Sequence, residues 1–338
     1  MRARLPRSLV IAFAFACAAP AHGALRAVTN GILTVEVQDA GADVGMFTIR
    51  TGSGHPHPEQ SVLYHAGTSY ATLRDNTSQE IWTNAGTIVN TDIAPYAFRP
   101  MQQAPATTSI DNLPDGFRVI YTLPNWRVQH EITILGGAIA DTRVRHAITL
   151  TNLSTVERSY GLRNLWDWDT AGIDALHFRT LDPAGPLTQV FFATTMPAFG
   201  AFENLDDPGA PTFRSYGTGS GETFGATPPD RFGYVAWQDL FEAPWDTPII
   251  GEALDSATVH YWGFVTPLLL APGTSATFTQ FASVSASAIG IAADVAAAVP
   301  TLSHGALPVM TMLLLLASLS SFRAVSPRAG KGRHDPRA

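Results

Sequence analysis

The densest group of residues able to do chemistry is Trp166-Asp167-Trp168-Asp169, with Asp174 close behind. On a strand, Trp166 and Trp168 share one face while Asp167 and Asp169 share the other. Paired aromatics on a wet face stack on sugar rings. Paired carboxylates bind Ca²⁺ or act as acid and base in glycoside hydrolysis. The plainer reading packs the tryptophans in a core and lets the acids solvate the strand end. Other candidates are thinner. His55-Pro56-His57-Pro58-Glu59 with His65 offers imidazoles for Zn²⁺. No Cys or His spacing typical of a metal site accompanies them, and an exposed loop explains them as well. His130 and His146 fall on apolar faces of neighbouring strand patterns, which suits hydrogen-bonded core histidines. Trp237-Gln238-Asp239 and Pro244-Trp245-Asp246 lie on one long connection and suit either a sugar-binding loop or a hydrophobic plug. Nucleotide-binding glycine loops and a serine nucleophile elbow are absent from the sequence.

The elements that would position these residues are strands. Phe117, Val119, Tyr121 and Leu123 alternate with polar residues, and Pro124-Asn125 turns the chain. Trp126, Val128, His130, Ile132 and Ile134 continue the period, followed by Gly136-Gly137. Val144, His146, Ile148 and Leu150 follow, then Tyr160, Leu162, Asn164, Trp166 and Trp168. A period of two means one buried and one wet face. Turns about every ten residues predict an antiparallel meander in a sandwich or barrel. Ile32–Val37 with Met46–Arg50, then Phe232–Trp237, Val259–Val265 and Thr277–Val284, are further strand candidates. Ala271-Pro272-Gly273-Thr274 makes the last turn. Residues 182–230 read as loop-rich.

The two ends carry address information. Arg2, Arg4 and Arg7 precede the apolar stretch Leu9 to Ala19, and Ala21-His22-Gly23 closes it with small residues. That is the grammar of a signal peptide over residues 1–23. The one cysteine, Cys17, lies inside it, so disulfides and thiol catalysis are excluded from the mature chain. At the other end, Gly305 to Phe322 forms an uncharged, leucine-dense run of 18 residues. As a helix it would be about 27 Å long, near the thickness of a bilayer's hydrocarbon core. Arg323, Arg328, Lys331, Arg333 and Arg337 follow it and hold that flank in the cytoplasm. The whole chain has 21 basic and 28 acidic residues. Removing three arginines at the start, and five bases and one acid at the end, leaves 13 bases and 27 acids, a net charge near −14. Such an exported part disfavours nucleic acid and anionic membrane as partners.

Val299-Pro300-Thr301-Leu302-Ser303, the apolar run and the basic tail resemble the C-terminal sorting signals of Gram-negative bacteria that exosortase-type membrane proteases handle. The Ile-Pro-Thr-Leu-x-x-Trp-Gly variant is the nearest in kind, with Gly305 and Ala306 standing where it has Trp and Gly. The resemblance implies an exported protein that meets a signal peptidase and a sorting protease. It would be held in the inner membrane by its C-terminal helix before reaching the cell surface or medium. A second likeness lies in Ile148-Thr149-Leu150-Thr151-Asn152, Ser154 and Tyr160-Gly161-Leu162-Arg163, closing with Tyr261-Trp262-Gly263 and Pro272-Gly273-Thr274. These are similar to large β-sandwich domains of bacterial surface proteins, some resembling the supersandwich of galactose mutarotases. That likeness implies polysaccharide as a partner in the carbohydrate-active reading.

The expected organisation is a signal peptide (1–23), a mainly β, antiparallel sandwich domain (24–285), an alanine-rich linker (286–298) and a sorting signal (299–338) with one transmembrane helix. The expected role is a non-catalytic structural or binding domain at the cell surface without a cofactor. Ca²⁺ at the Trp166–Asp174 cluster, and a carbohydrate-binding or carbohydrate-active role, stay open beside it.

Overall fold

In the computed structural model, residues 25–85, 94–174, 176–181, 184–186, 191–192, 201–205, 213–219, 225–237, 245–246 and 256–290 are described. Their strands run β1 (Leu25–Thr29), β2 (Leu33–Gln38), β3 (Phe47–Thr51), β4 (Tyr70–Asp75), β5 (Glu80–Thr83), β6 (Ala97–Pro100) and β7 (Thr107–Leu113). Then come β8 (Gly116–Thr122), β9 (Trp126–Leu135), β10 (Arg143–Asn152), β11 (Arg158–Asp167), β12 (His177–Leu181), β13 (Ala184–Pro186) and β14 (Phe191–Phe192). The series ends with β15 (Ala201–Leu205), β16 (Arg214–Thr218), β17 (Arg231–Ala236), β18 (Ser256–Trp262), β19 (Leu268–Leu270) and β20 (Ser275–Ser283).

Three sheets result. One is β1-β2-β3; a second has the order β13-β12-β15-β16-β20-β10-β9-β8-β7; a third has the order β14-β17-β18-β11-β4-β5-β6 with β19 on β11. Pairing is antiparallel except for β5 with β6. The chain is a mainly β protein built as an antiparallel sandwich. The principal core lies between the two large sheets. Val119, Val128, Ile132 and Ile148 meet Leu162, Trp166, Trp168 and Trp262, and Leu33, Val35 and Ile49 of the three-stranded sheet join them.

The alternation read from sequence works for β8 and β9 of the nine-stranded sheet. In β9, Trp126, Val128, His130, Ile132 and Ile134 are buried and the residues between them are not. It fails for β11, where every residue but Ser159 is buried. The reason is a second apolar cluster on the outer face of the eight-stranded sheet, made by Tyr70, Ile81, Leu165, Val235, Trp245, Val259 and Tyr261. The loop-rich reading of 182–230 is also corrected, since β13 to β16 lie within it. Short strands there carry too little alternation to be seen in one sequence.

One polar clamp ties the two large sheets together at one end. Asp75 at the end of β4 is fully buried. Its Oδ2 accepts from Arg158 Nη1 of β11 at 2.6 Å and from Trp126 Nε1 of β9 at 2.9 Å. Its Oδ1 accepts from the Thr77 and Ser78 amides, which fold the β4–β5 turn. Arg158 also donates to Ser78 and Ser154 hydroxyls.

The chain divides into two units, residues 1–293 and 294–338. The expected signal peptide, most of the expected linker, the expected sorting motif Val299–Ser303 and the apolar run lie outside the described residues. Among the described residues no helix is long and apolar enough to cross a membrane. The start of the expected linker is a 3-10 turn, Ser287–Ile289, whose Ala288 and Ile289 are buried.

Candidate functional site

The cluster picked out by sequence is brought together, but in the interior. Trp166 and Trp168 point into the core, 1% and 0% exposed, with their rings edge to face at 5.5 Å. Trp168 Nε1 donates to Thr258 Oγ1 at 2.8 Å, across to β18. Neither ring is on a wet face. The expectation that the acids solvate the strand end is corrected: Asp167 is 2% and Asp169 6% exposed. Asp167 faces the second apolar cluster, beside Tyr70, whose hydroxyl burial pushes up to about 12 while Arg163 pulls it the other way. Asp169 lies past the strand end. Burial raises its carboxyl above the usual range, opposed by hydrogen bonds from Ser61 and the Gly172 amide and by nearby His65. Asp174 is half-buried beyond the Thr170–Ile173 bridge. Among the described residues no three His, Cys, Asp or Glu side chains are grouped to hold a metal ion.

Because Trp168 makes one hydrogen bond from a fully packed ring, Trp168→Phe should destabilise the fold by about 1–2 kcal/mol. One net hydrogen bond contributes roughly 1 kcal/mol and the smaller ring leaves a small void. Urea midpoints compared with the parent protein test this. An unchanged midpoint would mean that Trp168 is not held as described.

The outer face of the eight-stranded sheet holds the other aromatic and charged residues. A single row runs across it through Thr72, Arg163, Tyr261 and Arg231, set by the registers of β4, β11, β18 and β17. Trp245 sits on this row as a plug. Its carbonyl accepts from Arg163 Nη1 at 3.1 Å and from the Tyr261 hydroxyl at 2.8 Å. Its ring lies under the Arg74 guanidinium at 4.1 Å. Arg231 stacks on Phe264 at 4.1 Å and pairs with Asp246 at 2.6 Å. Tyr96, Trp237 and Phe264 are partly exposed around the cluster. Gly161 makes the seat possible, since a Cβ there would stand 2.8 Å from the Trp245 ring and 3.1 Å from the Gly263 carbonyl. Gly161→Ala should therefore lift Trp245 and cost about 1–3 kcal/mol, the usual range for overpacking. Tryptophan emission and urea melts read both effects. Gln238, Asp239 and Pro244 lie outside the described residues.

The remaining sequence candidates are also placed. His55 is buried and its ring, with that of His57, packs on Phe213 at 5.8 and 6.0 Å. The exposed-loop reading is corrected for His55; a ring contact with Phe213, just ahead of β16, covers it. His130 and His146 face the core and meet each other, Nδ1 to Nε2, at 3.0 Å. Burial pushes His130 down to about 3, and burial followed by neighbouring positive charge holds His146 well below its ordinary range. A third ring, His260 of β18, was not singled out from sequence. It bonds the Thr218 carbonyl at 2.8 Å, and burial lowers it to about 4. Its alternation with Thr258 and Trp262 was the available signal. The arginine row was missed too, because its members come from strands far apart in sequence.

No protein-family model matches the chain, and no curated protein matches it. Solved structures do resemble it. One is a galactose mutarotase related enzyme from Lactobacillus acidophilus, 8% identical, TM-score 0.43, covering 78% of this chain and 99% of its own. Another is a galactose mutarotase-like protein from Lactobacillus casei, 8% identical, TM-score 0.41, covering 77% and 99%. The Slr1438 protein from Synechocystis is 9% identical, TM-score 0.43, covering 82% and 100%. These are similarities of chain path, and no activity passes from them to this protein.

Proposed function

We propose that this protein is an exported, non-catalytic β-sandwich domain that serves a structural or binding role at the cell surface or outside it. Its delivery would run through the signal peptide and the C-terminal Val299–Ser303 motif, apolar run and basic tail. The observation that carries the non-catalytic reading is the burial of the one dense aromatic–acid cluster, with Trp166, Asp167 and Trp168 each at most 2% exposed. Residues that would have to touch a substrate are instead covered, the two rings in the core between the sheets and Asp167 beneath the outer apolar cluster. Every described strand ends by Ser283, ahead of the motif, so the motif is a separable address in this reading. The test is deletion of residues 299–338 in the native host. The expected result is release of folded protein into the medium with unchanged β-type circular dichroism. Retention of the truncated protein in the inner membrane, or its loss as aggregate, would overturn the reading.

A carbohydrate-binding role is the second reading. The observation favouring it is the partly exposed pair Tyr96 and Phe264 near Arg74 at one end of the outer sheet face. Aromatic faces with guanidinium donors suit sugar rings and their hydroxyls. A polysaccharide-binding and depolymerisation screen with the intact protein and with Phe264→Ala separates the two readings. Binding that Phe264→Ala abolishes supports the second; no binding to any polysaccharide favours the first.

A further inference from the structure

The core between the large sheets contains a polar layer that the fold does not need for strand pairing. Its members are His130 and His146 on one sheet, and Asn164 and Trp166 on the facing one. All four are at most 2% exposed. His146 and Trp166 face each other across the sandwich as near-parallel rings with centroids 6.5 Å apart, too far for full face contact. Asn164 lies beside His260 on the same face, and the His260 ring is 5.6 Å from Trp166.

Five polar atoms of this layer have no hydrogen-bond partner among the described residues: His130 Nε2, His146 Nδ1, Trp166 Nε1 and both Asn164 amide atoms. Their chemistry is mixed. The 3.0 Å contact between the histidines uses one N–H. With both rings neutral, one outer nitrogen is then a donor and the other an acceptor, whichever tautomer is present. Asn164 adds both kinds, and the indole adds a donor. Leaving buried groups of this sort unmet costs on the order of 1–3 kcal/mol each. Five of them would rival the whole stability of a domain.

We propose that this layer is an internal hydration site, in which bound water bridges Asn164 and Trp166 on one sheet to the His130–His146 pair on the other. Water is the occupant that fits. It donates and accepts at once, and a buried water typically makes about three hydrogen bonds to such groups. The five atoms carry no formal charge to offset a buried ion, and no three His, Cys, Asp or Glu side chains are grouped among the described residues to hold a metal. The inference is independent of the proposed function.

The test is magnetic relaxation dispersion of ²H and ¹⁷O water signals on the purified protein, with Asn164→Leu and Trp166→Phe. Asn164→Leu keeps the volume and removes both amide atoms; Trp166→Phe keeps a ring and removes the indole donor. The expected result is a smaller amplitude from long-lived internal water in either variant, with a lower thermal midpoint for Asn164→Leu. Amplitudes equal to the parent in both variants would overturn the proposal, as would a raised midpoint for Asn164→Leu with unchanged amplitude. If Asn164→Leu does not fold, the Trp166→Phe amplitude decides the matter.

Discussion

Lowering the pH from 7 to 5 should remove about 4 kcal/mol of folding stability through buried His130 and His260, at about 2 kcal/mol each, with buried His146 acting in the same direction. His130, His146 and His260 are at most 2% exposed. Burial holds all three below their ordinary value, to about 3 for His130, well below 6.5 for His146 and to about 4 for His260. In the unfolded chain each ring titrates near 6.5. At pH 5 the unfolded rings have therefore taken up protons that the folded rings have not. The unfolded state binds more protons, so stability rises with pH in this window and falls as the solution is acidified. Above about pH 7 the rings are neutral in both states and contribute nothing to the pH dependence. The raised carboxyls of Asp169 and Asp230 act in the opposite sense and offset a part. Urea midpoints at pH 7, 6 and 5 measure the effect. His260→Phe should remove about 2 kcal/mol of the dependence between pH 7 and 5. Midpoints that do not move between pH 7 and 5 would show that the folded rings take up protons as readily as the unfolded ones.

Asp75→Ala should destabilise the protein by about 3–5 kcal/mol, the range for breaking a buried ion pair from one side. Arg158, with its side chain 8% exposed, would lose its carboxylate. The Trp126 indole and the Thr77 and Ser78 amides would lose their acceptor as well. The comparison that gives this meaning is Glu59→Ala. Glu59 pairs with Arg50 at 3.0 Å, but its side chain is 61% exposed. A surface pair of that kind contributes no more than about 1 kcal/mol. Urea melts of both variants settle the contrast. Equal, small losses would mean that the clamp does not join the sheets energetically.

Much of the architecture was legible in the residues themselves. The period of two in Trp126–Ile134 and Val144–Leu150, broken by Pro124-Asn125 and Gly136-Gly137, specifies β9 and β10 and their pairing. The two-residue spacing of His130 from Ile132 and of His146 from Ile148 places both histidines in a core. The same spacing places Trp166 and Trp168 on one face. These are local properties, because a strand's pleat decides which side each residue takes.

The fate of the opposite faces was not local. The acids of the Trp166–Asp169 cluster read as solvated because Asp167 alternates with apolar neighbours. Whether that alternate face meets water depends on what crosses it. Trp245 does so from far along the chain, seated on Gly161 and held by Arg163 and Tyr261. Asp75, Arg158 and Trp126 likewise come from three strands, and nothing in their own neighbourhoods marks them as partners. Which residues share a face is therefore set by the chain's own period. Which faces are covered, and which charges are paired, is set by contacts between segments distant in sequence, and only the tertiary structure decides those.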